Sequence, residues 1–121
     1  MFLQQKIREI NERFRALEKT SHVAVWGGGV HTCKLFEKTE LLLYPVKTVV
    51  DIDEAKRGQP YFGFTIQSPT EVIWDDVGGL IISVPGKEET ISRMLTEELG
   101  FKGVIIRLYE SDNLTPLLSF I

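Results

Sequence analysis

Hydrophobic and polar positions along the chain fall into two alternating patterns. Val23-Ala24-Val25-Trp26, Gly79-Leu80-Ile81-Ile82-Ser83-Val84 and Gly103-Val104-Ile105-Ile106-Arg107-Leu108 hold apolar runs with little polar alternation, and residues 47–52 are rich in β-branched side chains. Such runs predict strands covered on both faces. Phe64-Thr65-Ile66 predicts a further short strand after a loop at residues 54–64 that holds Gly58, Pro60 and Gly63. Between the strands the apolar positions change to helical spacing. Val30, Cys33 and Phe36 recur opposite Lys34, Glu37 and Lys38, in a helix expected to fray near Leu43 because Tyr44 precedes Pro45. Ile91, Met94, Leu95 and Leu99 share one side of a helix over residues 87–99, with Gly100 as its stop. Ser68-Pro69-Thr70-Glu71 has the form of a capping box with proline at the first helical position, and predicts a short helix ending near Trp74.

Residues 1–19 form a different pattern. Leu3, Ile7, Ile10, Phe14 and Leu17 make a narrow apolar seam on an otherwise polar helix. The seam either docks on the chain's own sheet or faces a second copy. The far end is also apolar, with Leu114, Leu117, Leu118, Phe120 and Ile121, and is expected to pack on the domain or on a partner. Seam and tail together lead to the expectation of a homodimer.

Strands alternating with helices predict an α/β fold. The expected form is a Rossmann-like, doubly wound parallel sheet of five strands in the order 3-2-1-4-5, with right-handed crossovers and an extra N-terminal helix. A chain of 121 residues is read as one domain: an N-terminal helix over 1–20, a core over 23–109 and an apolar tail over 110–121. The formal charge of -3 and the scattered lysines and arginines argue against nucleic acid as a partner. Cys33 is the single cysteine, so neither an internal disulfide nor a cysteine-based metal site is expected. No apolar run reaches the length of a membrane span and no signal-peptide core is present, so the cytoplasm is the expected compartment.

The candidate chemistry lies at strand ends. Gly27, Gly28 and Gly29 hold the first two glycine positions of G-x-G-x-x-G, with Thr32 where the third would stand. Such a turn lets backbone approach a phosphate, and the helix that follows offers unpaired amides and a positive dipole end. The Thr32 hydroxyl is a candidate anion donor. Asp51 ends the second strand where a carboxylate can accept ribose hydroxyls, with Asp53 as a further candidate against the plainer role of capping the next turn. His31, in the first helical turn, is either a neutral ligand donor or a plain exposed or capping residue. Cys33, spaced with the apolar face, is expected to pack rather than react. Ser83, Pro85 and Gly86 end the fourth strand across the topological switch point from the glycines. Asp75 and Asp76 read as a polar loop, without a third carboxylate or histidine nearby for a metal.

With these residues in view, the core resembles a small Rossmann-like domain. It is similar to the C-terminal domain of nucleotide-sugar C-methyltransferases and to the N-terminal domain of acyltransferases acting on nucleotide-linked amino sugars. Val25-Trp26-Gly27-Gly28-Gly29-Val30-His31-Thr32, Val50-Asp51-Ile52-Asp53 followed by Gly58, Phe62-Gly63-Phe64-Thr65-Ile66, Ser68-Pro69 and Leu80-Ile81-Ile82-Ser83-Val84 carry the resemblance. Gly28 departs from it, since that position is often alanine. The resemblance implies an accessory part that helps hold a nucleotide sugar, because the acyltransferases' β-helix and the methyltransferases' methyl-donor domain have no counterpart here. The resulting expectation is a stand-alone domain that binds a nucleotide or nucleotide sugar, needs no other cofactor and has no evident catalysis of its own. The alternative is an interaction module that self-associates or docks on a sugar-modifying enzyme and has lost its ligand. A small oxidoreductase is disfavoured for want of a substrate domain.

Overall fold

The central strand of the sheet, β1 (Val23–Trp26), is buried along its whole length, because neighbours flank both its edges and side chains cover both its faces. In the computed structural model, which describes residues 2–108, with side chains from residue 4, β1 pairs in parallel with β2 (Val46–Val50) and with β5 (Gly79–Ile82). Beyond β2 lies β4 (Phe64–Gln67), and beyond β5 lies β6 (Val104–Arg107), both also parallel. These five strands stand in the expected order. A sixth, β3 (Pro60–Tyr61), pairs antiparallel with β4 and extends the sheet to β3-β4-β2-β1-β5-β6. The stretch expected to be plain loop thus forms a hairpin at its end, with Phe62 and Gly63 at positive φ in the turn.

Successive strand residues point to opposite faces, so each strand feeds two cores. Val23, Val25, Val49 and Ile81 face one side, under α1 (Phe2–Phe14) and α2 (Val30–Lys38). Ala24, Trp26, Val50, Leu80 and Ile82 face the other, with Trp74, Phe101, Ile91 and Leu95. β6 is an edge strand: Ile106 joins the first core and Ile105 packs against the second, while Val104 is 39% exposed. Among the described residues no helix is long and apolar enough to cross a membrane.

Several elements differ from the sequence reading. The N-terminal helix turns into a single 3-10 turn at Arg15–Leu17 instead of running on to residue 19. Its Ile10, Phe14 and Leu17 are buried against the chain's own sheet, so they are not left as a surface for a second copy. The homodimer expectation then has only the apolar residues 110–121 behind it, which lie outside the described residues, as does the Leu3 side chain. The capping box at Ser68 and Glu71 is present, yet it opens a 3-10 turn, Pro69–Glu71, and no α-helix follows. Val72 is already extended, and a second 3-10 turn at Trp74–Asp76 places the Trp74 ring in the core. α3 (Glu88–Arg93) passes into a π-turn at Met94–Glu98, closed by Leu99 N–H to Met94 O at 3.0 Å. α2 ends at Lys38, and residues Leu41–Leu43 form a separate 3-10 turn.

Candidate functional site

The glycine turn leaves β1 toward the sheet's carboxyl edge. Gly27 adopts φ +130°, a conformation side chains rarely take, and its N–H donates to Val50 O at 2.7 Å. Gly28 N–H donates to Asp51 Oδ2 at 2.8 Å. This second amide is therefore turned onto β2's terminal carboxylate. Gly29 is the N-cap of α2, with φ −124°, and it offers no side chain to cap the helix. Tyr61 reaches over from β3 and donates its hydroxyl to Gly29 O at 2.6 Å. Burial, more than the neighbouring Cys33, pushes the Tyr61 hydroxyl up to about 12, so it keeps its proton.

Beneath the turn runs a chain of short polar contacts. Thr32 Oγ1 lies 2.6 Å from Gly27 O and 2.7 Å from Ser83 Oγ, and Ser83 Oγ lies 2.7 Å from His31 Nδ1. A hydroxyl carries one hydrogen and a carbonyl carries none. Thr32 Oγ1–H points between Gly27 O and Ser83 Oγ, and the direction of the Ser83–His31 Nδ1 bond follows the imidazole tautomer. The chain ties the glycine turn to the end of β5, an element 51 residues away at Thr32–Ser83. It also corrects two expectations. Thr32 is wholly buried and its hydroxyl is spent inside the protein rather than turned to an anion. His31, 5% exposed, is neither a surface nor a capping residue.

Burial lowers His31 to about 4, so it is neutral at pH 7. Loss of solvation on burial is the cause. The folded state then resists a proton that the unfolded chain accepts below about pH 6.5. Stability conferred by neutral His31 is complete above that pH and declines as pH falls toward 4. The share at stake is about 3 kcal/mol. Chemical denaturation of wild type and His31→Gln between pH 7 and 4.5 checks this. The histidine protein is expected to lose more stability on acidification; parallel pH curves would remove the attribution.

The buried face of α2 is formed by His31, Thr32, Leu35 and Phe36, one step round from the predicted Val30–Cys33–Phe36 stripe. Cys33 is half-buried, and Val30 is 63% exposed at the helix's mouth.

Above the turn opens a cleft of about 590 Å³ at the carboxyl ends of β1, β2 and β5. Gly27, Gly29, His31, Asp51, Asp53, Ser83 and Pro85 are among the residues that line it. Gly28 and Thr32 sit behind that lining, and Gly86 lies beyond it, with φ +82° and its N–H on Glu88 Oε1 at 3.0 Å. Asp51 Oδ1 accepts Asp53 N–H at 2.9 Å, and Asp53 Oδ1 accepts Ala55 N–H at 3.0 Å. Asp53 thus caps its turn, and both carboxylates keep acceptor positions, since each has about four and Asp51 uses two for amides and Asp53 one. Apolar walls flank the cleft: Val30, 63% exposed, and Val84 stand beside the candidate residues, and Ile52, also 63% exposed, and Ile91 with Met94 from α3 and its π-turn were not expected from the sequence. Nor were Lys56 and Lys87, which reach the cleft from loops on its two sides. Among the described residues no group of three histidine, cysteine or acidic side chains is placed to hold a metal.

No family model matches the chain, and no curated protein sequence matches it. Solved structures do. A crystal structure of RSP in complex with beta-NAD+ and operator DNA superposes with a TM-score of 0.55 at 14% identity, covering 88% of this chain and 58% of that one. RSP described as a Rex-family repressor gives 0.52 at 15% identity, with 84% and 59% covered. RSP in complex with beta-NADH gives 0.51 at 15% identity, with 88% and 62% covered. The chain spans about three fifths of these structures' length, and the likeness is one of Rossmann-like fold.

Proposed function

We propose that this is a nucleotide-binding Rossmann-like domain whose ligand is a nucleotide or nucleotide sugar, accessory to sugar metabolism and without catalysis of its own. The observation that carries the reading is the cleft itself. It lies at the topological switch point, where open α/β sheets bind ligands, and it combines an open glycine turn, an acidic strand end and exposed apolar walls. In the proposed pose the phosphate lies against Gly29 and the first turn of α2, whose amides no side chain caps. Asp51 receives the ribose hydroxyls, and the base lies between Ile52 and the Val84-Pro85 wall. Neighbours of the same fold hold beta-NAD+ or beta-NADH, which supports a nucleotide of some kind. The resemblance to nucleotide-sugar methyltransferase and acyltransferase domains supports the sugar nucleotides among them. The scattered basic residues give nucleic acid no place in the proposal.

One observation favours the interaction-module reading: Gly28 N–H, an amide a phosphate would use, is already taken by Asp51. Calorimetry separates the two. Wild type, Gly29→Val and Asp51→Ala are titrated with the best ligands from a thermal-shift panel of nucleotides, nucleotide sugars and NAD(H). Gly29 has an extended φ, and a Cβ there would meet only Lys56 Nζ at 3.7 Å, so valine should fold normally while filling the phosphate's place. Asp51→Ala is expected to weaken a ribose-containing ligand by about 1–3 kcal/mol. Equal affinity in all three proteins, or no binding by wild type, transfers the assignment to the interaction module.

A further inference from the structure

Lys56 stands on the loop after β2, anchored by its own N–H to Asp53 O at 3.0 Å. Its ammonium is 3.7 Å from Asp51 Oδ2, and it is the group that a side chain at Gly29 would meet, also at 3.7 Å. One cation therefore lies over the open glycine turn and beside the acidic strand end at once. That position answers a difficulty in the cleft. Asp51 and Asp53 both line it, and a phosphate placed at the turn would face two carboxylates across a few ångströms. The Lys56 side chain is 39% exposed, so its pairing with Asp51 is weak and leaves donors for a second anion.

We propose that Lys56 is the phosphate-recognising residue of this cleft, bridging the Asp51 carboxylate and a ligand phosphate so that a ribose acceptor and an anion are held side by side. This rests on the nucleotide-binding reading and narrows it to ligands that carry both groups, ribonucleoside 5′-phosphates and diphosphates. A nucleoside uses Asp51 and draws nothing from Lys56. A nucleoside diphosphate uses both, and without the ammonium its phosphates meet Asp51 unscreened. Among the described residues Lys87, on the other side of the cleft, pairs with no carboxylate and is not needed for the bridge.

The test is calorimetry with ADP and adenosine, and with UDP and uridine, so that the choice of base does not decide the outcome. Lys56→Met is expected to weaken the diphosphates on the order of tenfold, the loss of one charge-assisted contact, with the nucleosides unchanged. Lys56→Arg should keep most of the affinity. In the Asp51→Ala protein, Lys56→Met should cost the diphosphates less than it does in wild type, because the repelling carboxylate is gone and the ribose loss is common to both Asp51→Ala proteins; a lysine that merely shaped the loop would cost the same in either background. Diphosphates that bind wild type and Lys56→Met equally overturn the bridge and leave the nucleotide reading standing. Failure of all four probes on wild type counts against that reading, and the bridge falls with it.

Discussion

Gly27→Ala is expected to destabilise the protein by about 2–6 kcal/mol and to abolish ligand binding in whatever fraction still folds. Two costs combine. A Cβ at φ +130° is strained by about 1–3 kcal/mol, and it would stand 2.9 Å from Ser83 O and 3.1 Å from Val84 Cγ2. Ser83 O is backbone of the neighbouring strand end and cannot swing aside, so relief requires the turn to move, an overpacking cost of about 1–3 kcal/mol. Any such movement also strains the Gly27 N–H to Val50 O bond and the Thr32 contact to Gly27 O. Gly29→Ala, two residues on, has extended backbone and meets only Lys56 Nζ in ordinary contact, and should unfold like wild type. Denaturant midpoints for the two variants check the contrast; similar losses would mean that the turn is not held where the geometry places it.

Phe14→Ala is expected to cost about 3–5 kcal/mol, the usual range for removing a fully buried aromatic side chain. Phe14 is 0% exposed, packs edge-on to Tyr44 at 6.1 Å, and belongs to the core under α1 and α2. The loss should not depend on protein concentration, because the ring is buried by its own chain. A loss that shrinks on concentrating the protein would instead place this face of α1 between subunits. Denaturation at two concentrations ten-fold apart distinguishes them.

What could be read from the sequence follows from how each element is stabilised. β1 and β5 are buried on both faces, and that alone produces the unbroken runs Val23–Trp26 and Gly79–Ile82. The order of the five parallel strands follows from the intervening crossovers. The buried face of α2 was not legible, because two of its members are polar. His31 and Thr32 go inside only because Ser83 and Gly27 complete their hydrogen bonds, and Ser83 is a partner on another strand that periodicity cannot show. The capping box at Ser68 was legible as a cap and misleading as a helix start. Its local bonds form, but Glu71 also pairs with Arg57 at 2.9 Å, and Val72 turns extended before a second helical turn can build. In the cleft, the glycines and Asp51 carried a recognisable spacing. Lys56 carried none: nothing in its own neighbourhood marks it, and its closeness to Gly29 arises only when the loop after β2 folds back over the turn.

The stacked indoles on the second face of the sheet have an optical consequence. Trp26 lines the cleft from the end of β1, while Trp74 lies against it with ring centroids 6.3 Å apart and its Nε1–H on Pro69 O at 2.9 Å. These are the two tryptophans of the whole chain. Its near-ultraviolet emission therefore comes from a coupled pair with one member at the cleft wall and the other one ring-layer behind it. A molecule entering the cleft changes the surroundings of half the chain's indole fluorophores at once, so the protein carries an unlabelled reporter of its own occupancy.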